Sequence, residues 1–227
     1  MKTTKLIAFT GTMVFTLVTP TLAVPVYVDL GMTAPPGTLG GYTMAAFPDD
    51  ASAVGSVVTS LAPPPAAPVS GPLAFSTDLT HYEVGSWGTW SHGYTGDVYW
   101  LDEFIFGNVL TLTLPLDTKA FAFYLEPGFL GALDFSITAA TYGSSSGLIP
   151  ATINGNSGAT GFGFYTGNAA DSLKSITITG TNTWPDGFSV GEFSINSVPN
   201  VPDGGTTILL LSFALSSMGV ARRYCVK

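Results

Sequence analysis

The chain has 227 residues, of which 46% are hydrophobic and only 10% are charged, with 27 glycines, 16 prolines and a net charge of −8. This composition is too apolar for a disordered chain and too rich in turn-forming residues for a helical protein, so it favours one domain of short strands. All 15 acidic residues except Asp203 lie between residues 24 and 202, where the basic residues are Lys119 and Lys174. Such a surface repels phosphate backbones, which argues against a nucleic-acid partner.

The N-terminal segment has the three parts of a secretory signal peptide. Two lysines form a basic start, residues 6–18 form an apolar core, and Ala23 is a small residue at a plausible cleavage site. We therefore predict that residues 1–23 are removed by signal peptidase and that the mature chain starts at Val24. The alternative is an uncleaved membrane anchor, which the short apolar core disfavours.

Residues 24–197 have the pattern of one all-β domain. A first strand at 25–31 precedes a proline-rich stretch at 61–72, which we predict to be a long surface loop because proline cannot occupy a central strand. From residue 73 onward, apolar residues alternate with polar ones in short runs between turn residues. The clearest runs are "NVLTLTLP", "KAFAFYLEP", "LDFSITAATYG", "TGFGFYTG", "LKSITITGT" and "GFSVGEFSIN". They predict a jelly-roll-like β-sandwich of roughly nine or ten strands in two sheets.

The last of these runs breaks the alternation. Phe188 and Val190 occupy even-numbered positions, whereas Phe193 and Ile195 occupy odd-numbered ones. A β-bulge adds one unpaired residue to a strand, so a bulge at residues 191–192 would return all four side chains to one face. We therefore predict a bulge at this position.

An aromatic cluster at residues 82–100 is the main candidate for a binding site. It contains Trp87, Trp90 and Tyr94 among glycines, with Asp97 nearby. Exposed indole and phenol rings stack on sugar faces and a carboxylate accepts hydrogen bonds from sugar hydroxyls, so the chemistry fits a glycan. The alternative is that the rings fill the core of the domain, and their solvent exposure distinguishes the two.

Signals for an enzyme or a metal site are weak. The stretch "GSSSG" at 143–147 matches the G-x-S-x-G pattern, but that motif needs a strand-to-helix turn and no helix is predicted here. Glycoside hydrolysis needs two carboxylates across a cleft, and the available acids show no family spacing: Glu83, Asp97, Asp102, Glu103 and Glu126. The acidic pairs at 49–50 and 102–103 offer oxygen ligands for calcium, but neither lies in a loop of spaced ligands. We predict a non-enzymatic chain without a cofactor or metal site.

Residues 198–227 form a tail of three parts. A turn that resists helix formation comes first, the uncharged run 206–221 follows, and an arginine pair comes directly after it. The run predicts a membrane helix with the arginines on its cytoplasmic side. The residues that define the turn and the basic end are Val201, Pro202, Asp203, Gly204, Gly205, Arg222 and Arg223.

This tripartite tail closely resembles the exosortase sorting signals of Gram-negative bacteria. The sequence "VPDGGTT" is similar to the Val-Pro-Asp-Ser-Gly variant of the Pro-Glu-Pro C-terminal signal, with Gly204 where that variant usually has serine. The resemblance implies that the helix anchors the exported chain transiently, that an exosortase cuts within 201–205, and that the product reaches the cell surface or the extracellular matrix of a biofilm.

The middle of the chain also resembles the β-sandwich domains of exosortase-sorted surface proteins. The residues that carry this resemblance are "GSWGTWSHGYTGDVY" at 85–99 and several of the alternating runs. We therefore predict an exported, non-catalytic protein of the cell surface or exopolysaccharide matrix. The alternative is a lectin-like module that binds exopolysaccharide through residues 82–100, and a glycoside-active enzyme is a distant third.

Overall fold

The computed structural model describes residues 23–87, 89–102, 108–128, 130–181 and 187–197. Regular structure in these residues consists of β-strands and a single helical turn, α1 (Val84–Trp87). The prediction of an all-β domain is therefore confirmed for the described residues. The strands, in chain order, are β1 (Pro25–Gly31), β2 (Thr38–Leu39), β3 (Tyr42–Ala46), β4 (Val57–Leu61), β5 (Leu73–Glu83), β6 (Asp97–Leu101), β7 (Val109–Thr113), β8 (Ala120–Pro127), β9 (Ala132–Thr141), β10 (Ile149–Asn154), β11 (Thr160–Thr166), β12 (Leu173–Gly180) and β13 (Phe188–Asn196).

The strands form one open, curled antiparallel sheet, with thirteen strands described where the sequence predicts nine or ten. The main order is β1-β11-β8-β13-β6-β5-β7-β12-β9-β10, with β3 added to β13, β2 to β3 and β4 to β5. The additional strands are mainly β2, β3 and β4, whose short and small-residue sequences give no clear alternation.

One continuous sheet replaces the two predicted sheets, and the jelly-roll arrangement is not confirmed. The physical reason is the long strand β5. Its last four residues, 80–83, pair with β6, whereas Ala74 and Phe75 near its start pair with β7. A single strand thus belongs to both halves of the sheet and joins them.

The curled sheet encloses one large apolar core. Phe123 of β8 stacks on Phe162 of β11 with 5.5 Å between ring centroids, and Phe135 of β9 meets Phe188 of β13 edge-on at 5.5 Å. The inward positions predicted from alternation are buried: Leu110, Leu112, Leu114, Phe121, Phe123, Leu125, Leu133, Phe135, Ile137, Ala139, Phe162, Phe164, Ile176 and Ile178. Removing this apolar surface from water is the dominant favourable contribution to folding.

The predicted bulge in β13 is confirmed. The register between β13 and β8 shifts between Gly191 and Ser194, and Glu192 has a φ of +51°. As a result, the four apolar residues on either side of the break all reach the core, each at most 3% exposed: Phe188, Val190, Phe193 and Ile195.

A hairpin of β2 and β3 covers the outer face of β8. Leu39 packs there on Ala120 and Ala122, with Tyr42 and Met44 alongside, and these residues form a second, smaller core. β8 is consequently buried along its whole length. The same hairpin brings β3 beside the end of β13, where Ala46 pairs with Ser194.

Candidate functional site

A cavity of about 390 Å³ lies beside the bulge of β13. The ladder between β13 and β6 covers residues 188–191, and the ladder between β13 and β3 covers residues 194–196. Strands β6 and β3 therefore lie end to end along the same edge of β13, and the cavity lies between them. Its walls include four aromatic rings and three carboxylates, which are those of Phe47, Tyr94, Tyr99, Phe193, Asp49, Asp97 and Glu192.

Glu192, the strained residue of the bulge, is held by two side chains from the aromatic segment. Its Oε1 lies 2.6 Å from Nε2 of His92, and the indole Nε1 of Trp90 donates a hydrogen bond to its Oε2 at 3.0 Å. Burial raises the pKa of Glu192, and the hydrogen bonds to His92 and Trp90 oppose that rise only in part. These contacts tie the bulge to residues about a hundred positions earlier in the chain.

Asp97 is the centre of a second polar group. Nε2 of His81 lies 2.8 Å from its Oδ1, and the backbone N–H of Asp50 donates to its Oδ2 at 2.6 Å. The hydroxyl of Tyr99 in turn donates to Asp50 at 3.2 Å. Burial lowers the pKa of His81, but the hydrogen bond and charge of Asp97, with the charge of Asp50, outweigh burial and raise the pKa overall.

Burial and nearby carboxylates both raise the pKa of the two tyrosines of the cavity. Burial is the main cause that raises the pKa of Tyr94, and the charges of Glu192, Asp97 and Asp49 raise it further. The pKa of Tyr99 is raised in the same way, by burial first and by nearby carboxylates second. Both phenols therefore stay protonated and act as hydrogen-bond donors at neutral pH.

The structure brings three of the four predicted glycan-binding residues together. Trp90, Tyr94 and Asp97 form one cluster, in which the two rings lie 6.1 Å apart and the hydroxyl of Tyr94 donates to the Asp97 carbonyl at 3.2 Å. Trp87 lies in α1, and its side chain is outside the part of the chain that the structure describes. Trp90 and Tyr94 are half-buried, so the described rings pack into the domain and do not form an exposed strip.

Sequence reasoning missed Glu192 as part of this site, and it assigned no contact to His81 or His92, which lie in or beside the aromatic segment. The broken alternation of the last run located the bulge, but it gave no information on what the Glu192 side chain contacts. His81 and Asp97 lie on neighbouring strands, β5 and β6, and their contact follows from a register that the sequence pattern does not specify.

Two of the acids considered for glycoside hydrolysis line different cavities. Asp97 lines the cavity beside the bulge, whereas Glu126 lines a separate cavity of about 240 Å³, with Trp100. In that second cavity, Oγ1 of Thr89 lies 2.6 Å from Oε1 of Glu126. Glu103 lies outside the described residues.

The serine motif at 143–147 turns between the antiparallel strands β9 and β10. The backbone N–H of Thr141 donates to the Ser144 carbonyl, and that of Ser146 donates to the Ala139 carbonyl, each at 2.8 Å. A hairpin lacks the strand-to-helix geometry of a nucleophile elbow. Among the described residues, no group of three or more His, Cys, Asp or Glu side chains is placed to hold a metal ion.

Of the predicted signal-peptide cleavage site, Ala23 and Val24 begin the described part of the chain. The backbone N–H of Ala23 donates to Asp171 at 2.8 Å, and the Ser144 hydroxyl donates to the Ala23 carbonyl at 2.6 Å. Within the described ranges, none of the helical structure is long and apolar enough to cross a membrane. The predicted membrane helix at 206–221 and all the tail residues lie outside those ranges.

A comparison with protein families matches the tail. Residues 200–223 fit the family model for the VPDSG-CTERM motif. The chain carries a PEP-CTERM-like exosortase sorting signal. Every residue that we predict to define the turn and the basic end of this sorting signal lies within the match, including Gly204, the departure from the usual serine. No curated protein and no solved structure matches the chain.

Proposed function

We propose that the chain is an exported, non-catalytic protein of the bacterial cell surface or exopolysaccharide matrix. The observation that carries this proposal is the VPDSG-CTERM match at residues 200–223, because such a signal implies processing by an exosortase. The signal is consistent with export and surface localisation. The predicted signal peptide at 1–23 supplies the first step of the same route.

The proposed route has three steps. Signal peptidase cuts between Ala23 and Val24 while the chain crosses the inner membrane. The apolar run 206–221 then holds the chain in that membrane, with the two arginines on the cytoplasmic side. An exosortase-type transpeptidase finally cuts within 201–205, where proline and glycine keep the backbone extended and accessible.

The non-catalytic part of the proposal rests on how the polar groups of the β domain are used. Both oxygens of Asp97 and both oxygens of Glu192 accept hydrogen bonds from within the domain. These contacts join residues that are 16, 47, 100 and 102 positions apart in sequence, so the groups stabilise the fold around the bulge. A surface or matrix protein needs such a stable domain and does not need catalytic activity.

Carbohydrate binding is the second candidate function. The half-buried rings favour it less than an exposed strip would, but Tyr94 and Asp97 line the cavity beside the bulge and offer a concave surface. A sugar held there would be recognised by a cavity and not by a flat aromatic platform. Titration of the full-length chain with N-acetylglucosamine, a neutral sugar, tests this candidate directly.

The sorting proposal is tested by intact-mass analysis of the full-length chain expressed in a Gram-negative host with and without its exosortase. We expect surface material from the complete host to lack the residues that follow the 201–205 turn. In the host without exosortase, the chain should keep its C-terminus and stay in the membrane fraction. Surface material that still ends at Lys227 in the complete host contradicts the proposal.

A pair of variants connects this result to the signal itself. Replacing Pro202 and Asp203 by alanine should abolish cleavage, since these residues belong to the matched motif. Asp117→Asn removes one carboxylate from an exposed turn of the β domain and is the matched control. Equal processing of both variants shows that the motif does not direct the cleavage.

A further inference from the structure

We propose that the cavity beside the β13 bulge binds a small protonated amine, held by its carboxylates and aromatic rings. The proposed function assigns no ligand to the β domain, so this inference goes beyond it and does not depend on it. It stands on four observations: the charge of the walls, the aromatic rings, an unpartnered buried hydroxyl and the remaining capacity of the carboxylates.

The first observation is that the titratable walls are acidic. Asp49, Asp97 and Glu192 line the cavity, and His81 and His92 are the basic groups paired with two of these carboxylates. Even with both histidines charged, three acids face two cations, so the potential stays negative at any pH at which the acids are ionised. A positive ligand would neutralise the excess.

The lysines of the β domain do not supply that charge. Nζ of Lys119 donates to the Asp171 carbonyl at 2.6 Å, and Nζ of Lys174 lies 5.8 Å from the ring of Tyr142. Neither lysine lines the cavity. Neither of the lysines in the part of the chain that the structure describes therefore balances the charge of the cavity.

The second observation is the aromatic wall. Phe193 and Tyr99 stack on each other at 5.8 Å between ring centroids and on further buried rings, so the half-buried Phe47 and Tyr94 supply the aromatic surface that faces the cavity. The faces of such rings carry negative charge and attract ammonium groups, more strongly where water is excluded. Rings together with carboxylates select an organic cation over a metal ion, which prefers a shell of oxygen ligands.

The third observation is the hydroxyl of Ser194. This residue is 3% exposed and lines the cavity, yet its Oγ has no hydrogen-bond partner in the structure. Buried hydroxyls are normally hydrogen-bonded, because leaving one unpaired is unfavourable. Rotation of the Ser194 side chain into the cavity would let this oxygen accept a hydrogen bond from an ammonium N–H and so satisfy it.

The fourth observation is that the carboxylates keep room for a ligand. Each oxygen of Asp97 and Glu192 accepts one hydrogen bond among those described. An ionised carboxylate oxygen has two lone pairs and can accept a second. An amine therefore finds acceptors in place, without any rearrangement of the contacts that hold the bulge.

The test is a calorimetric titration of the full-length chain in detergent solution with two pairs of probes. Glucosamine is compared with N-acetylglucosamine, and butylamine with butanol, so that each pair differs mainly in the positive charge. We expect saturable binding of the amines at millimolar concentration or below and no heat from their neutral partners. Equal binding of N-acetylglucosamine identifies a neutral-sugar site and overturns the proposal, as does the absence of binding by both amines.

Calcium chloride is a third arm of the same titration. Binding of a protonated amine should be unaffected by calcium at equal concentration, apart from general screening, which sodium chloride at matched ionic strength reports. Displacement of the amine by calcium but not by sodium would show that the cavity is a metal site, and the proposal would be wrong.

Two pairs of variants localise the binding. Ser194→Ala removes the unpartnered hydroxyl of the cavity, and Ser189→Ala removes another buried, unpartnered hydroxyl of β13 that does not line the cavity. Asp49→Asn removes an exposed charge at the cavity, and Asp117→Asn is its control elsewhere on the surface. The first member of each pair should weaken amine binding about fivefold, the effect of one hydrogen bond or one unit charge.

These substitutions test the site without breaking the fold. Ser194→Ala and Asp49→Asn remove no hydrogen bond described in the structure, so neither variant should unfold at a lower temperature than the wild type in the absence of ligand. Amine binding that the two controls weaken as much as the cavity variants would place the ligand elsewhere and overturn the proposal.

Discussion

Substitution of Glu192 separates backbone strain from side-chain hydrogen bonding at the bulge. Its φ of +51° lies in the left-handed region, which is unfavourable by roughly 1–2 kcal/mol for a residue with a Cβ. Against this, the carboxylate accepts hydrogen bonds from Trp90 and His92. A hydrogen bond to a charged group contributes about 1.5–3 kcal/mol.

Two replacements remove the same hydrogen bonds and differ in the strain. Glu192→Ala loses both bonds and keeps a Cβ at positive φ, so the free energy of unfolding should fall by about 3 kcal/mol, the lower end for two such bonds. Glu192→Gly loses the same bonds but relieves the strain, since glycine adopts positive φ readily. It should therefore be more stable than the alanine variant by about 1 kcal/mol.

Urea unfolding of the full-length chain, followed by tryptophan fluorescence, measures both differences. The free energy of unfolding falls by about 1–3 kcal/mol per molar urea. The urea midpoint of the alanine variant should therefore lie at least about 1 M below that of the wild type. Asp117→Gly and Asp117→Ala provide the control for strain alone, because Asp117 is exposed and has a φ of +67°. If Glu192→Ala is as stable as Glu192→Gly, the bulge does not hold a strained residue and the reasoning is refuted.

Two further predictions concern a glycine contact and a buried histidine. Gly40→Ala places a Cβ 2.2 Å from the ring of Tyr165, whereas Gly55→Ala, also at positive φ, meets nothing within 4 Å. In urea unfolding, Gly40→Ala should lose about 1–3 kcal/mol more than Gly55→Ala, and equal losses would contradict the packing of the hairpin on β11. The raised pKa of His81 means that the folded state binds its proton more tightly, so its stabilisation is complete below pH 6.5 and disappears as the pH rises through the raised value. The free energy of unfolding of the wild type should exceed that of His81→Gln most at pH 5, and this difference should shrink as the pH rises. A difference that does not change with pH would disprove the prediction.

The parts of the fold that the sequence predicts are those that depend on near neighbours along the chain. A period of two places Leu110 and Leu112 on one face of β7 whatever that strand pairs with, because successive side chains of a strand point to opposite faces. The bulge in β13 is predictable for the same reason, because one extra residue moves the apolar residues that follow it from even-numbered to odd-numbered positions. Both features are properties of single strands.

The parts that the sequence does not predict depend on which strands meet. Trp90 and Glu192 are 102 positions apart, and no local pattern in either segment indicates the other. The fusion of two predicted sheets into one has the same origin, because it depends on β5 pairing with β6 at one end and β7 at the other. The aromatic cluster is recognisable as a group in the sequence, but the contact of its Trp90 with Glu192 of β13 is not.

The sorting signal and the cavity lie in separable parts of the chain, so the two proposals can fail independently. β13 ends at Asn196, and the backbone N–H of Ser197 still donates to the Thr43 carbonyl at 2.8 Å. Cleavage within 201–205 therefore spares the strand, its bulge and the ladder with β3 that borders the cavity. A mature domain released by exosortase keeps every residue that lines the cavity, since these lie between Pro35 and Ser194. Loss of processing in tail variants should leave amine binding intact, and loss of amine binding in cavity variants should leave processing intact.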